Sequence, residues 1–335
     1  MIKDLIKQLL NKKDLTESQM QQVMQEILSG SVDTADIIAF LTSLGDKGET
    51  VEELTAAVNV MLKYVDPIIV DKPNILDTCG TGADKRGTFN ISTITALVAS
   101  GAGLTVAKHG NRSVSSKCGS ADILEALGVN INMDKEKIKR CLEEIGIAFL
   151  FAPNLHPAMR FVMPARKQIA QKTIFNILGP LINPARATNQ LIGIYSKKWI
   201  KPLAQVLHNL GSKHILVVHG ADGLDEVTTT DKTFIAEVVG GSLQEYEITP
   251  EDFGFKRASI NDLLGGSIKE NVLIVRNILA GQKGAHRDIV LFNAGCAIYA
   301  ADKAKMIEEG IKLAQISIDS GAAAKKLELL KEHSQ

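Results

Sequence analysis

Asn-Ile-Leu-Asp-Thr-Cys-Gly-Thr-Gly-Ala-Asp-Lys-Arg-Gly-Thr-Phe-Asn-Ile-Ser, residues 74–92, has the order of a short strand, a glycine loop and a helix start. The three glycines permit backbone turns that other residues avoid, and either Asn90 or Ser92 can cap the following helix. Backbone N–H groups at such a helix start are unpaired, so a phosphate group can bind them. Taken alone, the Gly-Thr-Gly core is as typical of a plain strand-to-helix turn as of a phosphate loop.

The length and composition of the chain are those of a globular enzyme. With 335 residues, it exceeds the size at which single cores stop growing, which predicts two domains or one large α/β domain with an appendage. Lys plus Arg equals Asp plus Glu at 38 each, so no overall field draws the protein to nucleic acid or to an anionic membrane. Any anion site must therefore be built from local residues.

The four cysteines form no Cys-x-x-Cys pair, which favours neither a zinc site nor a disulfide framework. Charged residues at positions 3, 4 and 7 interrupt any signal-peptide core, and no apolar run reaches the length of a membrane span. These patterns predict a cytoplasmic protein with reduced thiols.

Hydrophobic periodicity predicts two kinds of structure along the chain. Residues 1–65 carry helical spacing with capping patterns at Thr16 and at Thr50 with Glu53. From residue 74, strands and helices alternate, which predicts an α/β fold with a mostly parallel sheet flanked by helices. We expect strands to end at Thr78, Ala107 and Val218, one helix over 157–171, and a hairpin or sheet edge over 233–248. Residues 173–185, with two prolines and no polar face, predict a buried packing segment.

A second polar loop follows the second predicted strand. Residues 108–120 contain three cations, four serines and two glycines, a composition suited to a polyanion. Ser and Asn side chains donate to phosphate oxygens, and Lys108 can donate a stronger, charge-assisted bond. The alternative is a solvated surface loop. Loops on successive parallel strands converge at one edge of the sheet, so this loop and the first can share one ligand.

A glycine loop over 219–227 ends in the adjacent carboxylates Asp225 and Glu226. Mg²⁺ takes one or two protein carboxylates and completes its octahedron with water and substrate phosphates. An isolated Asp-Glu pair more often lies in a turn without binding a metal. Together with the two predicted phosphate loops, however, the pair favours a metal site.

Basic residues on the predicted helix over 157–171 offer a different anion site. Helical spacing places Arg160 and Arg166 in different surroundings. An inward Arg can grip a carboxylate with two parallel hydrogen bonds, whereas a solvated face is the more frequent explanation for a lone helical Arg.

Four segments in this order resemble the anthranilate phosphoribosyltransferase family of tryptophan synthesis: Gly80-Thr81-Gly82-Ala83-Asp84, Thr88-Phe89-Asn90-Ile91-Ser92, Lys108-His109-Gly110-Asn111-Arg112-Ser113-Val114-Ser115-Ser116 and Gly223-Leu224-Asp225-Glu226. The resemblance covers nearly the whole chain. It implies a small helical domain over 1–70 with a contribution from about 173–186, and a large α/β domain over 74–172 and 187–335. It also implies a cleft between the domains and a homodimer formed through the helical domain.

The same resemblance assigns site residues. Lys108, Asp225 and Glu226 correspond to catalytic positions, and Ser92, Asp225 and Glu226 to ligands of a Mg²⁺ cofactor. The anthranilate site corresponds to Gly80, Asn111 and Arg166, with His109 and His156 along the same approach. Phosphoribosyl pyrophosphate corresponds to Gly80, Gly82, Ala83, Asp84, Thr88, Asn90, Ile91, Ser92, Thr93, Lys108, His109, Gly110, Asn111, Arg112, Ser113, Val114, Ser115, Ser116 and Ser120.

The implied reaction moves a 5-phosphoribosyl group from phosphoribosyl pyrophosphate to the amine of anthranilate. Magnesium, Lys108 and the loop N–H groups would stabilise charge on the departing pyrophosphate. Arg166 would orient the anthranilate carboxylate. An aromatic amine is already a free nucleophile, so His109 as proton acceptor is an optional element.

Two alternatives share this fold. A pyrimidine nucleoside phosphorylase uses inorganic phosphate and no magnesium pair, which disagrees with Asp225 and Glu226. A non-catalytic, nucleic-acid-binding relative is expected to have a basic surface, which the zero net charge disfavours. A dinucleotide oxidoreductase is excluded because no Gly-x-Gly-x-x-Gly follows the first strand.

Ala83 stands where the family loop, Gly-Thr-Gly-Gly-Asp, has its last glycine. An alanine forced to positive φ costs about 1 to 2 kcal/mol, whereas a position that needs only a small residue costs nothing. We expect Ala83→Gly to change the Michaelis constant for phosphoribosyl pyrophosphate by less than about tenfold, or about 1.4 kcal/mol. A larger gain in steady-state kinetics would show that the loop is strained.

Overall fold

The computed structural model describes residues 1–82, 84, 86–113 and 118–335. Its first 61 residues form four helices, α1 (Ile2–Leu10), α2 (Glu17–Ser29), α3 (Thr34–Lys47) and α4 (Val51–Met61). The capping box predicted for Thr50 with Glu53 is confirmed, and Thr16, which was predicted to precede a helix, forms a second one with Gln19. Within the described residues, no helix has both the length and the apolar character needed to cross a membrane.

The described residues that follow are built on one seven-stranded sheet in the order β3-β2-β1-β4-β5-β6-β7. Its strands are β1 (Leu76–Gly80), β2 (Val106–Gly110), β3 (Ile147–Phe151), β4 (Asn189–Gly193), β5 (His214–Gly220), β6 (Thr233–Val239) and β7 (Ser242–Ile248). The first five are parallel and the last two are antiparallel. The predicted fold class is therefore confirmed. The predicted hairpin is β6–β7, closed by Gly240 and Gly241, which both have positive φ.

Helices cover the sheet and end the chain. They are α5 (Ile91–Gly101), α6 (Ser120–Ala126), α7 (Lys135–Arg140), α8 (Ala152–Leu155), α9 (Met163–Gln168), α10 (Phe175–Leu178), α11 (Ile200–Asn209), α12 (Ile268–Leu279), α13 (Ala285–Ala300), α14 (Ile307–Asp319) and α15 (Ala322–Ser334). One apolar cluster joins α5, α13, α14 and α15 to the sheet, and a second joins the four N-terminal helices to α11 and to side chains of β4, β5 and β6. The sheet thus lies between two cores.

Residues 173–184 pack into the core of the N-terminal helices, as their apolar pattern predicts. Ile174, Phe175 and Leu178 are buried in the same cluster as Phe40 and Leu54. The segment returns to the sheet through buried Asn183. A piece of chain that follows three strands therefore completes the helical bundle.

The prediction of one helix over 157–171 is wrong. A 3-10 helix (Pro157–Phe161) and α9 replace it, with Val162 between them. Pro164 lacks an N–H group and cannot donate to the carbonyl of Arg160, so a continuous helix is interrupted there.

The predicted strand ends are also wrong by two or three residues. β1, β2 and β5 continue to Gly80, Gly110 and Gly220, which places Lys108 and His109 within a strand. Pairing with neighbouring strands extends each strand through residues whose composition resembles a loop. Gly80 pairs with Gly193 and Gly110 with Phe151 on parallel neighbours, whereas Gly220 pairs with Thr233 on the antiparallel β6.

An ionic network of buried His214 and Glu237 with exposed Asp302 lies at the amino end of β5. His214 Nε2 is 2.9 Å from Glu237 Oε1 and its Nδ1 is 2.7 Å from Asp302 Oδ1. Tyr299 and Gln244 donate to the two oxygens of Glu237 at 2.7 and 2.9 Å. Burial opposes the charge on His214, but these two carboxylates raise its pKa above the ordinary value. Burial likewise opposes ionisation of Glu237, and its hydrogen bonds, that from His214 first, lower its pKa to about 2.

This network predicts a pH-dependent stability. The His214 contribution is complete below its unfolded pKa of 6.5 and disappears as the pH rises through the higher folded-state pKa. The Glu237 contribution is complete above 4.5 and disappears as the pH falls toward about 2. We therefore expect His214→Gln to destabilise the protein by about 3 to 5 kcal/mol near pH 5.5, because a buried carboxylate loses its cation, and by less near pH 8.5.

Thermal unfolding at the two pH values measures the difference. The matched control is His208→Gln on α11, whose ring has no acidic partner among the described residues. An equal loss of stability at both pH values would contradict the ionic account and leave only packing.

Candidate functional site

The carboxyl ends of β1 and β4 form the centre of the candidate site. These two strands are neighbours, yet the chain leaves β1 toward β2 and leaves β4 toward β5, so the connections diverge at this point. Ligands of open α/β sheets bind at such a topological switch. Gly80 and Gly193 pair there. Thr81 donates its N–H to Gly193 O at 2.9 Å, which holds the start of the glycine loop on the end of β4.

Lys108 joins the first two strands to the following helix. Its ammonium, almost fully buried, donates to Thr78 O at 2.6 Å and to Ser92 Oγ at 3.3 Å. The Thr78 hydroxyl donates to Ser92 O at 3.0 Å. The predicted cation and the predicted metal ligand Ser92 are thus in direct contact. An ammonium has three donors, so these bonds leave one for a ligand.

Three carboxyl groups converge on the same end of the sheet. Burial, and then the charge of Asp84, raise the pKa of Asp225 to about 7, while the Gly82 backbone N–H acts in the opposite sense. Burial and the charge of Asp225 raise the pKa of Glu226 well above its ordinary value, which Lys108 and the Ser92 backbone oppose. An acidic cluster with these pKa values is poorly compensated by protein charges, and its oxygens suit a hard divalent cation.

The lack of a side chain at Gly193 allows the loop that carries Asp225 and Glu226, here called the acidic loop, to reach β1. Asp225 follows β5, which is separated from β1 by β4, so its backbone must pass over the end of β4. A Cβ atom built on Gly193 would lie 1.6 Å from Asp225 O and 2.6 Å from its carbonyl carbon. On Gly80 the nearest atom, Asp225 Oδ2, is 3.3 Å away. The absence of a side chain at Gly193 therefore sets the position of the acidic pair.

The other face of β1 and β2 carries Asp77 and His109, and His156, which follows α8, lies against it. His109 Nε2 lies 3.0 Å from His156 Nε2, and both rings are buried. Burial lowers the pKa of His156 to about 4, and burial together with His156 and Lys108 lowers that of His109 well below 6.5. Both rings are therefore neutral near pH 7, although a hydrogen bond between His109 and the Gly179 backbone opposes the fall in the His109 pKa.

Asp77 fixes this arrangement. One Asp77 oxygen accepts a hydrogen bond from the backbone N–H of His109 at 3.1 Å, and the other accepts one from the side-chain amide of Asn183 at 2.7 Å. The same amide donates to Ala107 O at 2.8 Å. Cys79 lies near Asp77 and His109, and these three form a possible ligand set for a metal ion. Because both Asp77 oxygens already accept hydrogen bonds, we interpret the set as structural. Burial raises the pKa of Asp77 to about 6.

The two helical arginines differ as predicted. Arg160 is exposed and its guanidinium lies 4.7 Å from the Phe161 ring centre. Arg166 on α9 is partly buried, lies 5.9 Å from the Phe175 ring centre, and has its pKa lowered by burial. Among the described residues, Arg166 has no ion pair or side-chain hydrogen bond, so its donors are available to an anion.

The second loop is only partly described. Arg112 pairs with Asp122 at 3.0 Å and with Glu125 at 2.8 Å, so its charge is already compensated by protein carboxylates. Exposed Asn111 accepts the Arg112 N–H, and the Ser113 N–H donates to Asp122. Ser120 is the first residue of α6. Val114, Ser115, Ser116 and Ala83 lie outside the described residues.

The remaining predicted ligands line the start of α5. Asn90 caps the helix, because its Oδ1 accepts the Thr93 N–H at 3.1 Å. Ile91 is buried, Ser92 is partly exposed, and Thr88 pairs with Leu264. The first loop thus presents the helix start that the sequence predicts. Sequence reasoning missed Asp77, Asn183 and Gly193; only Asp77, an acid within an apolar strand, gave a local signal.

Family models and known relatives match nearly the whole chain. Residues 3–65 match the family model described as Glycosyl transferase family, helical bundle domain, and residues 72–324 match Glycosyl transferase family, a/b domain. An anthranilate phosphoribosyltransferase of Methanobrevibacter smithii is 49% identical over 334 residues, which cover 100% of this chain and 99% of the relative.

Two solved structures extend the comparison. The anthranilate phosphoribosyltransferase of Thermus thermophilus is 39% identical with a TM-score of 0.92, over 98% of each chain. That of Saccharomyces cerevisiae in complex with PRPP and Mg is 28% identical with a TM-score of 0.91, over 99% of this chain and 97% of the yeast chain.

Proposed function

The chain belongs to the anthranilate phosphoribosyltransferases of the glycosyl transferase family, and we propose that it transfers the 5-phosphoribosyl group of phosphoribosyl pyrophosphate to the amine of anthranilate. The products are N-(5-phosphoribosyl)anthranilate and pyrophosphate, in tryptophan biosynthesis. The observation that carries this proposal is the convergence of the glycine loop, Lys108 and the acidic pair at the end of β1. A phosphate loop, a buried cation and a divalent-metal site together fit a pyrophosphate-bearing sugar.

Phosphoribosyl pyrophosphate is proposed to bind between the glycine loop and the second polar loop. The Asn90-capped start of α5 offers backbone N–H groups and a positive dipole end. The third ammonium donor of Lys108 is directed to a phosphate oxygen in this proposal. As the bond from C1 of the ribose to the pyrophosphate oxygen breaks, charge grows on the leaving group, and these fixed donors stabilise it.

Magnesium fits the donor set of the site. Asp225, Glu226 and the Ser92 hydroxyl are oxygen donors, and the raised pKa values of the two carboxyls show that the protein alone leaves their charges poorly compensated. When bound, the ion supplies neutralisation of phosphate charge. The yeast relative was solved with PRPP and Mg. Asp84 stands beside Asp225, whose pKa its charge raises, and is proposed to meet the ribose side of the substrate.

Anthranilate is proposed to bind on the opposite face, between Arg166 and the histidine pair. Arg166 would hold the carboxylate with two hydrogen bonds and so orient the amine. Gly80, Asn111 and His156 line this approach in the proposal. Because His109 is neutral, it can accept a proton from the amine as the new C–N bond forms.

The same family membership supports three further proposals. The chain divides into a helical domain, 1–70 with about 173–186, and an α/β domain, 74–172 with 187–335. Two chains associate through the helical domains, which sedimentation of the purified protein measures. The protein works in the cytoplasm, where its four buried cysteines remain reduced.

Loss of anthranilate fluorescence after mixing protein, phosphoribosyl pyrophosphate and magnesium tests the reaction. The expected loss requires both the donor and the metal. Cleavage of thymidine that depends on inorganic phosphate, with anthranilate unchanged, would favour a pyrimidine nucleoside phosphorylase. Binding of nucleic acid without either reaction would favour the non-catalytic alternative.

A further inference from the structure

The second half of the glycine loop is attached to a distant segment, residues 263–271, here called the clamp. Thr88 pairs with Leu264 in an isolated antiparallel bridge. Phe89 donates its N–H to Leu263 O at 3.1 Å, and Gly265 donates its N–H to Gly87 O at 3.0 Å. A loop of the first strand is thereby held by a segment more than 170 residues later in the chain.

Asn271 extends this attachment to the helix cap. It is almost fully buried on the first turn of α12, and its Oδ1 accepts the Asn90 N–H at 3.0 Å. Its amide donates to Ser267 O at 3.1 Å, which fixes the orientation of the side chain. Asn271 therefore holds the backbone of Asn90, the residue whose side chain caps α5. Movement of Asn271 would therefore move the cap.

Gly265 allows the two segments to approach. A Cβ atom at Gly265 would lie 2.5 Å from Phe89 Cα and 2.9 Å from Thr88 O, and both atoms belong to the backbone. On the other side, the Phe89 ring is buried and meets His286 of α13 edge-on at 4.9 Å. Residues 87–90 are thus held by the clamp on one side and by α13 on the other.

We propose that Asn271 and Gly265 are positioning residues for phosphoribosyl pyrophosphate: they fix residues 87–90, and through them the anion-binding start of α5, before the substrate arrives. This inference rests on the proposed function. Neither residue needs to contact the substrate. A rigid loop avoids the ordering cost that a free one incurs on binding.

The test compares Asn271→Ala and Gly265→Ala with Asn277→Ala on the same helix and Gly45→Ala, whose added methyl meets only ordinary contacts. Loss of the acceptor for the part-buried Asn90 N–H predicts that Asn271→Ala raises the Michaelis constant for phosphoribosyl pyrophosphate about tenfold. The Michaelis constant for anthranilate should stay within about threefold, because Arg166 lies against Phe175 of one apolar cluster whereas Leu263 of the clamp belongs to the other. Asn271→Asp, which keeps an oxygen acceptor, should recover part of the affinity.

Two further measurements make the result decisive. Amide hydrogen exchange of residues 87–92 should be faster in Asn271→Ala than in the wild type and Asn277→Ala, and calorimetric titration with phosphoribosyl pyrophosphate and magnesium should show the same loss of affinity. Unchanged exchange and binding, or equal losses for both substrates with a lower thermal midpoint, would overturn the inference. A wild-type protein that binds no phosphoribosyl pyrophosphate would overturn the proposed function instead, and exchange would still report whether the clamp orders the loop.

Discussion

The double variant Asp225→Asn with Glu226→Gln is expected to lose about a thousandfold or more of its magnesium-dependent turnover, or about 4 kcal/mol of transition-state stabilisation. Asn and Gln keep the size of the side chains but remove the charges that a divalent cation requires. Steady-state rates across a magnesium titration measure the loss. Saturating metal should fail to restore the rate, because the amide oxygens that remain carry no charge with which to hold the cation in place beside the phosphates.

The stability of the same variant separates a metal site from a structural acidic cluster. Burial raises the pKa of both carboxyls, so their ionised forms destabilise the metal-free protein. We therefore expect the double variant to unfold at the same temperature as the wild type or at a higher one. Magnesium should raise the thermal midpoint of the wild type only.

An adjacent acidic pair elsewhere provides the matched control. Glu308 and Glu309 are both exposed on α14, far along the chain from the candidate site. Converting both to Gln should leave turnover and the magnesium response unchanged. Retained activity in the variant of Asp225 and Glu226 would disprove the metal assignment, and a large fall in its stability would indicate that the pair holds the fold.

The residues that could be identified from the sequence are those whose chemistry is local. The glycine loop, the Asn90 cap, Lys108 and the adjacent Asp225 and Glu226 each indicate an anion or a cation by residue type. Alternating strands and helices then place these loops at one edge of a sheet, because parallel strands share their carboxyl ends. The fold class and the location of the site follow from these two facts.

Residues whose roles depend on distant contacts could not be identified in this way. Asn183 is an ordinary polar residue between prolines until the structure places it against Asp77. In the sequence Asn271 is an ordinary helix residue, and only the structure shows that it accepts a hydrogen bond from the Asn90 N–H. The strand ends were wrong for a related reason: Gly80 and Gly110 resemble loop residues, and only their parallel neighbours extend the strands through them.

Gly193 is another residue whose role depends on a distant contact, and its substitution is expected to lower turnover strongly. We expect Gly193→Ala to reduce the turnover rate at saturating magnesium at least about a hundredfold, which corresponds to about 2.7 kcal/mol of activation free energy. The new methyl group would overlap the Asp225 carbonyl, so either β4 or the acidic loop must shift. A displacement of about 1 Å at a catalytic group is enough for a loss of this size. Steady-state kinetics and the magnesium concentration for half-maximal rate measure it.

Comparison with two other glycines shows whether the effect comes from the Asp225 backbone. Gly80→Ala places its methyl 3.3 Å from Asp225 Oδ2, a tight but adjustable contact, so its loss should be smaller than that of Gly193→Ala. Gly45→Ala on α3 should have no effect on turnover. If Gly193→Ala keeps the wild-type magnesium dependence, β4 has absorbed the strain and the acidic loop does not depend on this glycine. If its magnesium requirement rises while the fold persists, the end of β4 is the support on which the metal pair is positioned.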